Sequence, residues 1–449
     1  MMDGQVIGNG TEQQGGLRNY QKETIDALRQ IDSNEKPRFS TLVNLPTGAG
    51  KTEVIRRFCM EKLEAGNKVL FIADRIALLE QAISVFARYK CTCKKDGYSY
   101  QLICGDHGGS PNDDEGDDDE EKDINSKKEK VSKIKPETDI LFASIGTIKG
   151  VATDEDTDKF DSLGKWLEES QKKGKRLYVV YDEAHHVGNN SLGAFLSAIF
   201  GCRDTYAKGV RNFYNLTEIG LIGLTATVYR GDKFIGSFNA WFKNGYDFKN
   251  NRIVYINSKY GNYVLDDIGK IRNNRIAPVD IMQLTEGYGG EEPVLADPDF
   301  IKVPDFMDGK PATEEMEMEY LAGRIKKHFP KLGKTAVIVR NETMAKTLCM
   351  ELEKQGIPSI RFTSKGLSAG ERKTVLKKFR NPECKDILVA ISIFDEGIDV
   401  PDLNTIYLYA PTNSQVVLRQ RVGRVLRQAK NKREEKRIIW QYYPKDCKT

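Results

Sequence analysis

The stretch "STLVNLPTGAGKTEVIRRFCMEKLEAG", residues 40–66, contains a strand, a glycine loop and a helix in that order. Its first part, 40–45, is an apolar and β-branched run, and its last part has the periodicity of a helix. Between them, "LPTGAGKT" at 45–52 provides a loop whose backbone N–H groups can surround phosphates at the start of a helix. The stretch therefore predicts a nucleotide-binding α/β domain.

Within this loop the residue types suit a magnesium nucleotide. Gly48 and Gly50 permit a tight turn, Lys51 can reach the terminal phosphates, and Thr52 can hold Mg²⁺. Leu45 stands where the strict P-loop pattern has its first glycine, so only the GxGKT core of that pattern is met. The strand before the loop and the helix after it favour a phosphate site over a plain glycine turn.

Apolar runs recur along the chain and form two sets, each alternating with helix-like stretches. The first set lies at 40–45, 68–73, 139–144, 176–181 and 219–225, and the second at 335–340, 359–364, 386–391 and 405–410. Continuous apolar strands that alternate with helices are typical of parallel sheets covered on both faces. We expect an α/β fold with two domains, 1–230 and 335–449, joined by an irregular connector at 231–334.

The stretch "VVYDEAHHVGNN" at 179–190 ends an apolar run in two acids and two histidines. A metal cluster, an acid/base pair, a magnesium nucleotide site and a plain polar loop are the alternatives. Because a P-loop site needs carboxylates on a second strand, we assign Asp182 to Mg²⁺ and Glu183 to the attacking water. His185 is expected to relay between the nucleotide site and the second domain, and His186 is left unassigned.

A series of motifs in fixed order resembles the superfamily 2 helicases and translocases over nearly the whole chain. The motifs are "LRNYQ" at 17–21, "LPTGAGKT" at 45–52, "VLFIADRIALLEQA" at 69–82, "SIGTI" at 144–148, "DEAH" at 182–185, "LTATVYR" at 224–230, "FDEGIDVP" at 394–401 and "QRVGRVLR" at 420–427. The resemblance implies two tandem RecA-like P-loop domains with the ATP site in the cleft between them.

The sequence that follows "LTATVYR" at 224–230 favours one branch of this superfamily. "VLDDIGKIRNNRIAPVDI" at 264–281 resembles the bridge of the restriction-enzyme-like branch, which includes type III restriction Res subunits and repair helicases. The chain departs from the family pattern at Val228, where proline is usual, at Ser392, where an acid is common, and at "FTSK", which lacks a His-Gly pair.

The resemblance also implies a set of site residues. The nucleotide would be held by Arg18, Gln21, Pro46, Thr47, Gly48, Ala49, Gly50, Lys51, Thr52, Gly397 and Asp399, with Gln21 reading adenine. Catalysis would fall to Lys51, Asp182, Glu183, His185, Gln420, Arg424 and Arg427. Loops suited to contacts with a phosphate backbone contain Arg75, Thr147, Arg340 and Thr363, and the resemblance supports Arg75 and Thr147 more than the other two. Each of the four is equally compatible with a helix cap or a surface charge.

The last motif carries its own geometric argument. At about 100° per residue, Gln420, Arg421, Arg424 and Arg427 share one helix face about 120° wide. Packed against the first domain, Arg424 and Arg427 could reach the γ-phosphate as arginine fingers. A solvated basic helix is the alternative, and it is our interpretation of "KNKREEKR" at 430–437.

Composition restricts the remaining possibilities. Residues 113–123 hold nine acids and one lysine in a chain of net charge +4, which predicts a disordered acidic insertion at about 108–136. The eight cysteines indicate reduced thiols. A hairpin loop with ordinary thiols is favoured over a zinc site at Cys91, Cys93, Cys104 and His107.

The chain has neither a membrane-length apolar run nor a signal-peptide pattern, so we expect a cytoplasmic protein without membrane contact.

These observations predict an ATP- and Mg²⁺-dependent helicase or duplex translocase that moves along DNA, with RNA as the other possible substrate. An ATP-gated clamp or sensor within a larger restriction, defence or repair complex is the alternative, and it would carry the same motifs. Nuclease or other subunits are the expected protein partners. A small-molecule P-loop kinase would leave residues 394–401 and 420–427 unexplained.

Overall fold

The computed structural model describes residues 6–7, 16–34, 37–88, 97–104, 134–148, 157–172, 174–184, 195–196, 198–199, 214, 216–226, 229–230, 233–234, 246–247, 252–253, 275–276, 284, 288–290, 298–303, 313–329, 333–363, 367–391, 403–409 and 437–442. These residues include the strand, loop and helix at 40–66.

The first half of the chain forms an eight-stranded sheet in the order β1-β4-β5-β3-β6-β7-β2-β12. Its strands are β1 (Val6–Ile7), β2 (Arg38–Asn44), β3 (Lys68–Ala73), β4 (Tyr98–Ile103), β5 (Ile140–Ser144), β6 (Leu177–Tyr181), β7 (Ile219–Thr225) and β12 (Arg275–Ile276). All neighbours pair in parallel except β1, which runs antiparallel to β4. Because parallel strands end at the same edge, this sheet brings the loops after β2, β3, β6 and β7 together.

Four helices belong to this first sheet, and their bounds are α1 (Asn19–Asn34), α2 (Lys51–Glu64), α3 (Ile76–Phe86) and α4 (Thr157–Ser170). Apolar residues on both faces of the sheet are buried, which explains why strands such as β3 read as unbroken apolar runs. Helix α2 ends at Gly66, whose φ of +79° suits a residue without a Cβ.

Four short strands form two small antiparallel ribbons outside the two large sheets. These strands are β8 (Tyr229–Arg230) with β9 (Lys233–Phe234), and β10 (Tyr246–Asp247) with β11 (Arg252–Ile253).

The second half forms a six-stranded parallel sheet in the order β13-β18-β17-β14-β16-β15. Its strands are β13 (Pro298–Val303), β14 (Thr335–Ile338), β15 (Ser359–Phe362), β16 (Ile387–Ala390), β17 (Thr405–Leu408) and β18 (Arg437–Tyr442). The helices are α5 (Glu314–His328), α6 (Glu342–Lys354) and α7 (Ala369–Arg380). Each begins at a side-chain cap, from Thr313, Asn341 and Ser368 respectively. The expected fold, two parallel α/β sheets in tandem, is confirmed.

The segment expected to be an irregular connector, 231–334, differs from that expectation because parts of it join both sheets. Strand β12 pairs with β2, and Leu284 is fully buried in the first core. Strand β13 pairs with β18, and α5 packs against α6. These elements pair with strands and helices that are distant in the sequence. The local composition of the segment, rich in Gly, Pro and acids, therefore does not predict them. We therefore propose that the second domain begins near Pro298 rather than 335.

Two further strands lie where the sequence predicted other structure. The segment taken for a hairpin loop around Cys104 contains β4, which pairs with β5 in parallel and buries Tyr98 and Ile103. The basic segment interpreted as a solvated helix, 430–437, lies outside the described residues except for Arg437, which is the first residue of β18. The run "RIIWQY" is rich in β-branched and aromatic residues, a strand signal that the interpretation overlooked. None of the helices in the described part of the chain is long and apolar enough to cross a membrane.

Candidate functional site

The glycine loop 45–52 lies at the carboxyl edge of the first sheet, between β2 and α2. The Leu45 N–H donates to the Thr225 carbonyl at 3.1 Å, which extends the pairing of β2 with β7 to the start of the loop. The Ala49 N–H donates to the Pro46 carbonyl at 3.2 Å and closes a turn containing Thr47 and Gly48. Gly48 and Gly50 have φ of 90° and 80°, in the left-handed region that favours glycine.

Gly50 is also the residue that starts α2, and it offers no side-chain cap. The amide groups of the first helical turn therefore face the loop without a hydroxyl or carboxylate from the cap position, and the positive end of the helix dipole points the same way. This arrangement is suited to an anion, and Lys51 and Thr52 lie in that first turn.

Helix α1 holds the loop from one side through two neighbouring residues. The Tyr20 hydroxyl and the Gln21 amide nitrogen both donate to the Ala49 carbonyl, at 3.0 and 3.1 Å. The Gln21 amide oxygen accepts from the Arg18 N–H at 3.0 Å, so the whole amide is oriented. A Cβ at Gly50 would lie 2.7 Å from the Gln21 amide nitrogen, which shows how closely the glutamine approaches the loop. Sequence reasoning named Arg18 and Gln21 but missed Tyr20.

Lys51 and the two acids reach the site from different elements, since Lys51 begins α2 and the acids follow β6. The Lys51 ammonium donates to the Leu45 carbonyl at 3.3 Å and so spans the loop. Asp182 follows β6, which is two strands from β2, so the acid stands about 10 Å from the loop along the sheet edge. Asp182 is 9% exposed, its N–H donates to the Ile72 carbonyl at 2.9 Å, and its Oδ1 accepts from the Glu183 N–H at 2.9 Å.

Glu183 has a φ of 52°, and it is the sole residue other than glycine with positive φ among those described. Such a backbone costs about 1–3 kcal/mol for a side chain of this size, and strain of this kind concentrates at functional positions. The strain lies at the second of the two predicted acids, directly after the acid assigned to Mg²⁺.

Two of the predicted nucleic-acid residues lie at the same edge of the first sheet. Arg75 precedes α3 in extended conformation, as the residue at its start. Thr147 lies in a helical turn after β5, and its hydroxyl oxygen accepts from the Ser144 hydroxyl at 2.8 Å. Both positions follow the carboxyl ends of strands, where the loop after β2 also lies.

The two predicted contacts in the second sheet differ in exposure, since Arg340 is exposed and Thr363 is buried. Arg340 forms an ion pair with Glu317 of α5, and its guanidinium lies 5.9 Å from the centre of the Tyr409 ring. Thr363 is 2% exposed. The role of both residues as nucleic-acid contacts stays a prediction.

The other predicted site residues lie outside the described part of the chain: His185, Gly397, Asp399, Gln420, Arg424 and Arg427. The acidic insertion at 108–136 lies almost entirely outside it too. Of the four possible zinc ligands, Cys104 alone is described, as a partly exposed cysteine that forms no disulfide with the described residues. Among the described residues, there is no group of three or more histidine, cysteine or acidic side chains that could hold a metal ion.

A residue of the connector also reaches the site. The Tyr288 hydroxyl donates to Glu23 of α1 at 2.7 Å, and its ring meets the Tyr20 ring edge-on with centroids 6.0 Å apart. Burial, followed by the Glu23 carboxylate, raises the pKa of Tyr288 to about 12. Tyr288 thus supports the helix that carries Gln21. The 265 residues that separate Tyr288 from Glu23 explain why no sequence pattern indicated it.

The fold and this site define a class of protein: a P-loop nucleotide-binding protein with two tandem RecA-like sheets. Two family models match the chain. The first is described as the type III restriction enzyme, res subunit, and matches residues 14–230; the second is the helicase conserved C-terminal domain and matches 318–429. The chain belongs to the superfamily 2 helicases, and its first domain is of the restriction-enzyme type.

Two relatives match nearly the whole chain. A candidate helicase of the Sulfolobus islandicus filamentous virus is 22% identical over 93% of this chain and 63% of its own length. A candidate ATP-dependent helicase of Saccharomyces cerevisiae is 24% identical over 92% of this chain and 49% of its own length. The chain thus spans about half to two thirds of these relatives.

Solved structures share the fold. The ATP-dependent Type ISP restriction-modification enzyme LlaBIII, bound to DNA, has a TM-score of 0.56 and 17% identity, covering 96% of this chain and 28% of that one. The helicase MrfA, also bound to DNA, has a TM-score of 0.57 and 14% identity, covering 95% of this chain and 46% of that one.

Proposed function

We propose that the protein is a nucleic-acid-dependent ATPase that couples ATP hydrolysis to movement along DNA, as a helicase or duplex translocase. The observation that carries the proposal is the joint placement of three features at one sheet edge. These are the left-handed glycine loop, the glutamine bound to its backbone, and the acids at the end of β6. A Mg-nucleotide site needs the glycine loop for the phosphates and the acids for the metal and the water, and the glutamine would add recognition of the base. A purely structural glycine turn would require neither the acids nor the glutamine.

The residues present fit ATP and Mg²⁺. The uncapped start of α2 and the loop amides would hold the β- and γ-phosphates, and Lys51 would add a positive charge. Thr52 and Asp182 would hold Mg²⁺, because hard oxygen ligands are the ones it prefers. When bound, the metal neutralises charge that develops on the phosphoryl group.

Glu183 would orient the attacking water and receive its proton. Its backbone is held in the left-handed conformation immediately after Asp182. Gln21, fixed by Arg18 and Ala49, would read the adenine edge.

The second domain would complete the site. We propose that Gln420, Arg424 and Arg427 meet the γ-phosphate when the cleft closes. Gly397 and Asp399 would contribute to nucleotide binding, and His185 would relay between the nucleotide site and the second domain. Nucleic acid would lie across both sheets at Arg75, Thr147, Arg340 and Thr363. Solved structures of this fold are described as bound to DNA or to RNA. We prefer DNA because the family model that matches the first domain is that of a restriction enzyme.

The same comparisons support a place in a larger assembly. A match to a restriction enzyme covers 28% of that protein, so most of its chain lies outside the shared fold. We propose that nuclease or other subunits act together with this protein, and that it works in the cytoplasm.

The test is ATP turnover measured in parallel with single-stranded DNA, duplex DNA, forked DNA and RNA, using Lys51→Ala as the inactive control. We expect DNA to increase turnover at least about tenfold, and the Lys51→Ala protein to fold normally without turnover. Turnover that no polynucleotide changes would contradict the proposal. Strand-displacement and triplex-displacement assays then separate unwinding, duplex translocation and clamping.

A further inference from the structure

The last residue of β6, Tyr181, makes a contact that the proposed chemistry does not use. Its side chain is fully buried, and its hydroxyl donates to Oδ1 of Asp74 at 2.8 Å. Asp74 is the first residue after β3, the strand that pairs with β6 and places Ile72 opposite Tyr181. The hydrogen bond therefore fastens the ends of two adjacent strands to each other through side chains.

The two ends that this bond joins carry different predicted functions. Tyr181 directly precedes Asp182 and Glu183, the acids at the nucleotide. Asp74 directly precedes Arg75, which starts α3 and is a predicted nucleic-acid contact. Asp182 and Arg75 are each one residue away from a partner of this hydrogen bond, and Glu183 is two residues away.

The chemistry of the pair favours a firm contact. A hydroxyl that donates to a carboxylate makes a charge-assisted bond, which is roughly twice as strong as a neutral one. Burial, followed by the nearby Asp74 carboxylate, raises the pKa of Tyr181 far above its ordinary value, so the hydroxyl keeps its proton at any physiological pH.

A second Tyr–Asp hydrogen bond on the same strand has a structural role and serves as a comparison. The Tyr178 hydroxyl donates to Oδ1 of Asp32 at 2.9 Å, close to the beginning of β6 and on the other face of the sheet. Asp32 is held there by Arg176 and by Lys62, whose ammonium lies 2.7 Å away. This pair fastens α1 and α2 to the amino edge of the sheet, far from the acids.

We propose that the Tyr181–Asp74 hydrogen bond couples nucleic-acid binding at the Arg75 loop to the acids at the nucleotide, with Tyr181 as a positioning residue. The inference rests on the proposed function, since it explains how nucleic acid would increase ATP turnover. With the bond intact, a shift of Asp74 when Arg75 binds a phosphate moves the end of β6 directly. Without it, the two loops respond to their ligands separately.

The experiment compares Tyr181→Phe with Tyr178→Phe, because each removes one hydroxyl from a buried Tyr–Asp pair on the same strand. We measure the ratio of DNA-stimulated to unstimulated turnover, together with thermal stability. Both variants should lose similar stability. We expect the ratio to fall about tenfold or more in Tyr181→Phe, as loss of a charged hydrogen bond implies, and to stay at the wild-type value in Tyr178→Phe.

Asp74→Ala removes the acceptor and leaves the buried ring in place, so it should lower the ratio as much as Tyr181→Phe. The double variant should be no worse than either single variant, because both lose the same bond. Equal ratios in Tyr181→Phe and Tyr178→Phe, with a stimulated wild type, would overturn this inference and leave the proposed function standing. A wild type that DNA does not stimulate would overturn the proposed function and this inference with it.

Discussion

Replacing Gly50 by alanine should damage the site in two ways that can be separated. Gly50 has a φ of +80°, where an L-residue is strained, and the new methyl group would lie 2.7 Å from the Gln21 amide nitrogen. Gln21 cannot yield easily, because its amide is held by both Arg18 and Ala49. The substitution therefore strains the backbone and also forces the glutamine away from the loop.

The expected magnitudes follow from these two contributions. A left-handed conformation at a residue with a Cβ costs about 1–2 kcal/mol. Losing the Gln21 bond to the Ala49 carbonyl adds about 1 kcal/mol. The free energy of unfolding should fall by about 2–3 kcal/mol, and ATP affinity should fall at least about tenfold because the base-side glutamine is displaced.

Gly66 offers a matched control at the other end of the same helix. Its φ is +79°, but a Cβ there would meet only Lys175 Cε, at an ordinary 3.9 Å. Gly66→Ala should cost the backbone strain alone, about 1–2 kcal/mol, with unchanged ATP affinity. Denaturant unfolding gives the stabilities, and equilibrium titration with a fluorescent ATP analogue gives the affinities. Equal effects of both variants on stability and on affinity would refute the reasoning from the Gln21 contact.

Three further predictions concern charge. Glu183→Gln should bind ATP with near-normal affinity and lose at least about 99% of turnover, and loss of ATP binding would instead make Glu183 structural. Arg424→Lys and Arg427→Lys should each lower DNA-stimulated turnover by about two orders of magnitude with little change in ATP binding, whereas near-normal turnover would exclude an arginine finger. Burial lowers the pKa of Lys68 to about 8, so between pH 8 and about 10.5 the unfolded chain holds a proton that the folded chain has released. Wild-type stability should therefore rise across that range relative to Lys68→Met, and parallel pH curves in denaturant unfolding would contradict this.

Much of the architecture could be predicted because each central strand carries its own signal. Strands buried on both faces give continuous apolar runs: β6 is apolar throughout, and β3 is apolar after Lys68. The loops that follow these two strands contain residues of the predicted motifs. The glycine loop was predictable for a related reason. A φ near +80° at Gly50 favours glycine, so the residue type itself indicates the backbone conformation.

The features that were missed depend on partners distant in the chain. Strand β13 begins with proline, carries an acid, and is stabilised as an edge strand by β18. Tyr20 lies in the motif at 17–21 but was assigned no role, and only the fold shows that its hydroxyl reaches the Ala49 carbonyl. Local sequence thus predicts the backbone of the loop. The side chains that contact the loop from α1 can be identified only from the tertiary structure.

The division of the connector between the two sheets has a practical consequence for work on separate halves of the protein. A fragment that ends at residue 230 would strip β12 from β2 and expose the hydrogen-bonding edge of the strand that leads into the glycine loop. A fragment that begins at 335 would do the same to β18 by removing β13. Open strand edges of this kind are templates for aggregation, so insoluble halves would reflect a poor choice of ends rather than an inability to fold. Cutting between Gly290 and Pro298 leaves each sheet with its own edge strand, and it is there that independent expression and reassembly of the halves should be attempted.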